Sequence, residues 1–181
     1  STLTYASRLR ARGAPQAAES MLRDALALQD EVLEPFHPDL GNTTRILGVL
    51  LQQTGRAEES LPYLYRSLDI NRRAYGYRHR LVGESLIGLA RSLDTLGDRA
   101  GALEAFTGGI DVLSGALGDG HPRTLESRLM LVESHLTAGD AEAAERVISR
   151  VETGLEAGTP AAIVERAARL RGRIGAEGRA P

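Results

Sequence analysis

Histidine has the widest chemical repertoire of any side chain in this sequence, and three of its four histidines keep step. His37, His79 and His121 lie 42 residues apart, and His37 and His121 are each followed by proline. Imidazoles can ligate a metal, but the ligands of one ion must converge within a few ångströms. A 42-residue interval sets these three in successive structural units, about one unit from each other. They are therefore expected to cap the helices that follow rather than to share an ion. His135 stands outside the series on a helix near Glu133; it either pairs with that carboxylate or, as a lone surface histidine more often is, is incidental. Glu58 and Glu59 are adjacent carboxylates, but they sit at a helix start, where the dipole favours negative charge. Cysteine is absent, which excludes disulfides, thiolate nucleophiles and cysteine-bound zinc. No phosphate-cradling glycine loop, nucleophile elbow or kinase signature occurs. No catalytic residue, metal or cofactor is expected, and the chain reads as a non-enzyme.

The elements that would position these residues are written in a second series. Gly13, Gly55, Gly97 and Gly139 are also 42 residues apart, each followed by an alanine-rich, glutamate-bearing helical pattern. Further columns run in phase: Tyr5, Leu47, Leu89 and Leu131; Leu22, Leu64, Phe106 and Ile148; Ala6, Gly48, Ala90 and Val132. Ile46, Leu47, Leu50 and Leu51 before Gly55, then Leu61, Leu64, Leu68 and Ile70 after it, have helical spacing, so each unit is an antiparallel helix pair. The ladder glycines fall where the first helix must stop, and glycine takes the left-handed C-cap conformation without a Cβ penalty. Asp98 and Asp140 follow their glycines and can cap the second helix. Ala18, Ser60, Ala102 and Ala144 form a small-residue column that lets paired helices pack closely. Pro62 lies inside a helix and predicts a slight kink.

The expected organisation is four helix pairs over 1–158, approximately 1–34, 38–76, 80–118 and 122–157. A C-terminal capping helix follows over 159–175, started by Thr159 and Pro160, and then a loose tail over 176–181. On the capping helix Ile163, Val164, Ala167, Leu170 and Ile174 recur at helical spacing. Its other face carries Arg166, Arg169, Arg171 and Arg173, either a solvated end face or a docking patch for an acidic partner.

These residues resemble the tetratricopeptide repeat (TPR) family, in the long 42-residue variety typified by kinesin light chain and found in many bacterial multidomain proteins. Leu47, Gly48, Leu51, Gly55, Ser60 and Leu64 follow the generic pattern, and Leu117, Gly118, His121 and Pro122 reproduce the junction of the long variety. His37 with Pro38 keeps its second part, and Gly76 with His79 lacks the proline because Arg80 replaces it. The stretch 58–68, with Pro62, also looks like the second helix of kinesin-type repeats. The resemblance covers about residues 3–157 and implies an all-α fold, a right-handed superhelical solenoid of antiparallel helix pairs. Kinesin-type members hold a peptide backbone with asparagines on the inner helix. Arg45, Ile46, Ile87, Gly88, Leu129 and Met130 occupy the matching positions here, a departure from that clamp.

Function in such a solenoid comes from shape, through a concave surface lined by first helices. The register places Asn42, Arg45, Val49 and Gln52 on it from the second repeat, and Glu84, Ile87, Arg91 and Asp94 from the third. The fourth contributes Glu126, Leu129, Met130, Glu133 and Leu136. Ile87, Leu129, Met130 and Leu136 either anchor a partner's side chains or pack against the adjacent first helix. The expected function is a protein-interaction module binding a peptide or protein. The alternative is a regulatory or sensory arm of a larger bacterial signalling enzyme: a kinase, a nucleotide-binding switch protein or a caspase-like protease. A net charge of −2 and a pI near 6.1 argue against a general nucleic-acid binder. All 22 cationic residues are arginine, read as compositional bias. Short, interrupted apolar stretches predict neither a membrane span nor a signal peptide, so a cytoplasmic location is expected. A repeat begins almost at Ser1, as expected of a piece of a longer chain.

Overall fold

The computed structural model describes residues 13–177, and among them all regular structure is helical. Eight helices follow in order: α1 Pro15–Val32, α2 Pro38–Gln53, α3 Ala57–Tyr75, α4 Arg80–Thr95, α5 Arg99–Leu117, α6 Pro122–Thr137, α7 Ala141–Thr153 and α8 Ala161–Glu177. The expected first helix of the first repeat, with Tyr5 and Ala6, lies outside the described residues, as do residues 178–181 of the tail. The chain divides into two compact units, Ser1–Gly109 and Ile110–Pro181.

In the first unit α2 pairs with α3, and α4 with the start of α5. Each pair reverses at a ladder glycine held in the left-handed region, φ 82° at Gly55 and 83° at Gly97. Leu47 and Leu89 on the first helices are buried, as are Leu64 and Phe106 on the second. Burying each such leucine stabilises the fold by about 1.5–3 kcal/mol. The small column has a steric cause: a Cβ on Gly48 would come within 2.7 Å of Leu64 Cγ. α3 stays continuous through Pro62, where the missing donor falls near the helix start, close to the N–H groups that lack intrahelical acceptors anyway.

Hydroxyls, not only hydrocarbons, set how these helices stack. Ser60 and Ser92 share a hydrogen bond of 2.6 Å, both fully buried. Ser67 Oγ donates to the Gly41 carbonyl at 2.8 Å and lies 2.9 Å from Ser85 Oγ, while Asn71 Nδ2 donates to both serines. Because a buried polar group without a partner is costly, the network penalises sliding of α3 against α2 and α4.

In the second unit α6 pairs with α7, and α8 packs on both. Leu125, Leu129, Val132 and Leu136 of α6 join Ile148 and Val151 of α7 with Ile163, Ala167, Leu170 and Ile174 of α8 in one core. The cap at its start differs from expectation. The Thr159 hydroxyl accepts from Glu156 N at 3.0 Å, inside the preceding turn, and the helix starts at Ala161. Arg166 and Arg171 do not form a solvated face either. Arg166 donates to both carboxylate oxygens of Glu133, at 2.9 and 2.6 Å, and Arg171 pairs with Glu145 and Glu152. Two of the four arginines thus tie α8 to its neighbours.

Candidate protein-interaction surface

The periodic histidines cap helices. His37, His79 and His121 occupy the N-cap positions of α2, α4 and α6, and each accepts at Nδ1 from the backbone N–H two residues on. The distances are 3.2 Å from Asp39, 3.3 Å from Leu81 and 3.1 Å from Arg123. Asp98 and Asp140 cap α5 and α7, accepting from Gly101 N and Ala143 N at 3.0 and 2.9 Å. Among the described residues no group of three His, Asp or Glu is placed to hold a metal ion. No described helix is long and apolar enough to cross a membrane.

His135 corrects the sequence reading. It is a buried residue, its Nδ1 lies 3.7 Å from Asp140 Oδ2, and Glu133 is engaged by Arg166 instead. A two-residue separation puts Glu133 and His135 on different sides of the helix, which is why they do not meet.

The thirteen expected lining residues divide by burial. In the first unit, Asn42, Arg45, Val49 and Gln52 of α2 and Arg91 and Asp94 of α4 are partly exposed. Glu84 is buried and accepts from Arg80 at 3.0 Å, with Arg45 Nη1 at 3.2 Å from its other oxygen. Arg45 also donates to Asn42 Oδ1 at 2.9 Å, so a charged network bridges the two successive first helices. Asp94 lies 3.5 Å from Arg99. Gln52 Oε1 is enclosed with no hydrogen-bond partner. Ile87 packs inward. A Cβ on Gly109 would meet its Cδ1 at 2.8 Å, so it fills the space that glycine leaves on α5.

In the second unit Glu126, Met130 and Glu133 are partly exposed, whereas Leu129 and Leu136 belong to the core. Of the four aliphatics considered as anchors, then, three are packing residues and Met130 alone reaches the surface. α6 has to meet both α7 and α8, and that demand turns the extra aliphatics inward. A groove of about 750 Å3 lies elsewhere, along α1, lined by Met21, Ala25, Leu28, Gln29 and Thr43 among others. None of the expected lining residues borders it.

The sequence reading passed over residues at the α3–α4 junction. Tyr75 stacks on His79 with ring centroids 4.2 Å apart, Arg72 lies 5.4 Å from the Tyr77 ring centre, and Arg73 lies 4.1 Å from that of Phe36. The signal was available: residues 70–83 contain four arginines and no acid.

Helix pairs turned at left-handed glycines and joined by histidine caps define an all-helical repeat protein. The tetratricopeptide repeat models match residues 40–113 and 6–39, and the chain belongs to the tetratricopeptide repeat family. Its fold is that of kinesin-light-chain-like repeats. A kinesin-light-chain-like protein of Podosopora anserina with nearly identical TPR-like repeats superposes with a TM-score of 0.77 at 19% identity, covering 98% of this chain and 88% of that one. BtubC (BKLC) from P. vanneervenii superposes with a TM-score of 0.73 at 19% identity, covering 97% and 80%. Such repeats generally mediate protein–protein interaction and are typically non-catalytic scaffolds.

Proposed function

We propose that the chain is a non-catalytic interaction module that takes a peptide or protein segment on the exposed side of its first helices, on α2 and α4 within the first unit and, as a separate surface, on α6 within the second. The observation that carries this reading is Gln52. Its amide oxygen is enclosed without a partner although the residue is partly exposed, and a buried acceptor left unsatisfied is an unfavourable state that is relieved when the side chain turns outward to meet an incoming backbone N–H. Along the same two helices, Asn42, Val49, Arg91 and Asp94 supply an amide, an aliphatic contact and charges of both signs, the mixture that recognises an extended segment of mixed polarity. In the second unit Met130, between Glu126 and Glu133 along the helix, supplies a soft apolar contact that adapts to its partner.

A displayed random-peptide library tests the reading. Selection against the purified chain is expected to enrich a peptide whose affinity falls about tenfold in Gln52→Ala or Arg91→Ala, equivalent to roughly 1.4 kcal/mol, while the melting midpoint holds. No enrichment, or enriched peptides indifferent to both substitutions, contradicts it.

A further inference from the structure

The α3–α4 junction is built unlike the other two, and the difference is not scaffold. Position by position, Arg72 and Arg73 correspond to Asp30 and Glu31 one repeat earlier and to Ser114 and Gly115 one repeat later. A cation at a helix C-terminus is favourable, but the fold accepts acids or neutral residues at the same place, so it does not require these arginines. Tyr77 and Arg78 correspond to Pro35 and Phe36, then to Asp119 and Gly120; Tyr75 corresponds to Leu33 and Leu117. Only here does an aromatic precede the turn and stack on the capping histidine.

That stack shapes the loop. Tyr75 and His79 lie face to face, 16° from parallel, and Gly76 turns in the left-handed region with φ 79°. The two residues between the turn and His79 are pushed outward, so Tyr77 is 72% exposed and Arg78 is exposed beside it. Arg72 lies near the Tyr77 ring and has no carboxylate partner, and its Nε–H is enclosed without a hydrogen bond. Arg73, over Phe36, shares only an exposed pair with Asp69 at 3.0 Å. A guanidinium over a ring is restrained before any ligand arrives and keeps its charge without a carboxylate partner.

We propose that this junction is a second docking site, separate from the first-helix lining, that takes a carboxylate-rich protein segment. Charge complementarity selects the occupant: Arg72 has no carboxylate partner, Arg78 adds a second guanidinium at an exposed position, Arg73 can exchange its weak surface partner, and Tyr77 offers an exposed ring beside Arg72. A nucleic-acid strand is the less favoured ligand, because the chain as a whole carries a net charge of −2 and the basic groups are confined to one turn rather than drawn out along a track.

Fluorescence anisotropy with a labelled oligoglutamate peptide tests it, with oligolysine and oligothymidylate of matched length as comparisons. Oligoglutamate is expected to bind in preference to both and to weaken as salt is raised. Its affinity is expected to drop about tenfold in Arg72→Ala with Arg78→Ala, to fall in Tyr77→Ala, and to hold in Gln52→Ala and Arg91→Ala. Arg78→Glu, at an exposed position, gives the same loss with the melting midpoint unchanged, which separates binding from folding. Equal affinity in the Arg72 and Arg78 variants, no affinity for oligoglutamate, or preference for oligothymidylate overturns the proposal. Loss in the Gln52 and Arg91 variants instead would place the acidic segment on the first-helix lining.

Discussion

The ring nitrogen of His121 satisfies Arg123 N, one of the backbone donors a helix start leaves open. His121→Ala is expected to lower stability by about 0.5–1 kcal/mol, with His121→Asn recovering most of it, as read from thermal unfolding. Gly97 has a sharper requirement, because its φ of 83° strains any side chain with a Cβ. Gly97→Val should cost on the order of 1 kcal/mol or more; an unchanged midpoint would mean the turn tolerates branching. The histidine and glycine roles were legible in the sequence because each is dictated locally, by a cap or by one backbone angle. His135 was not, since its burial depends on how α6 meets its neighbours.

Helix packing decides what faces inward, and there the periodic pattern was only a partial guide. It identified the buried columns at Leu47, Leu64 and Phe106, which repeat. It left Ile87, Leu129 and Leu136 open, and these are buried by features that do not repeat: the close approach of Gly109 and the presence of α8. Truncation separates the two kinds of lining residue. Ile87→Ala is expected to destabilise by about 2–5 kcal/mol, as a buried aliphatic should, whereas Arg91→Ala leaves denaturant unfolding nearly unchanged. Gly48→Ala measures the closeness of α2 and α3. Helix propensity favours alanine by about 1 kcal/mol, yet the new methyl meets Leu64 Cγ at 2.7 Å. Net destabilisation of about 1–3 kcal/mol is expected; a gain would show that Leu64 yields.

At the scale of the whole molecule, ion pairs shape the response to acid. The Ser114 hydroxyl and then the Arg128 guanidinium hold the Asp119 carboxyl below its ordinary value. Arg171 does the same for Glu152, and Arg66 for Asp30. A carboxyl whose folded value is depressed binds fewer protons folded than unfolded. Its contribution is present above the unfolded value, near pH 4, and is lost as pH falls through the folded one. The melting midpoint should therefore hold from neutrality to about pH 5 and then decline, less steeply in Asp119→Asn; an equal slope would mean that Asp119 carries none of the effect. These groups are well exposed, so each effect is small.

The repeat architecture could be read from spacing, because a solenoid repeats its scaffold, and the family from the resemblance of its junction and turn motifs to known repeats. A binding surface is what repeats do not share. Hydrogen exchange of the backbone amides, with and without a peptide selected from the library, locates the segment that meets the partner. Slowed exchange over α2 and α4 around Gln52 and Arg91, or over α6 around Met130, is the predicted result. Protection confined to the second helices, with these segments unchanged, would contradict docking on the first helices.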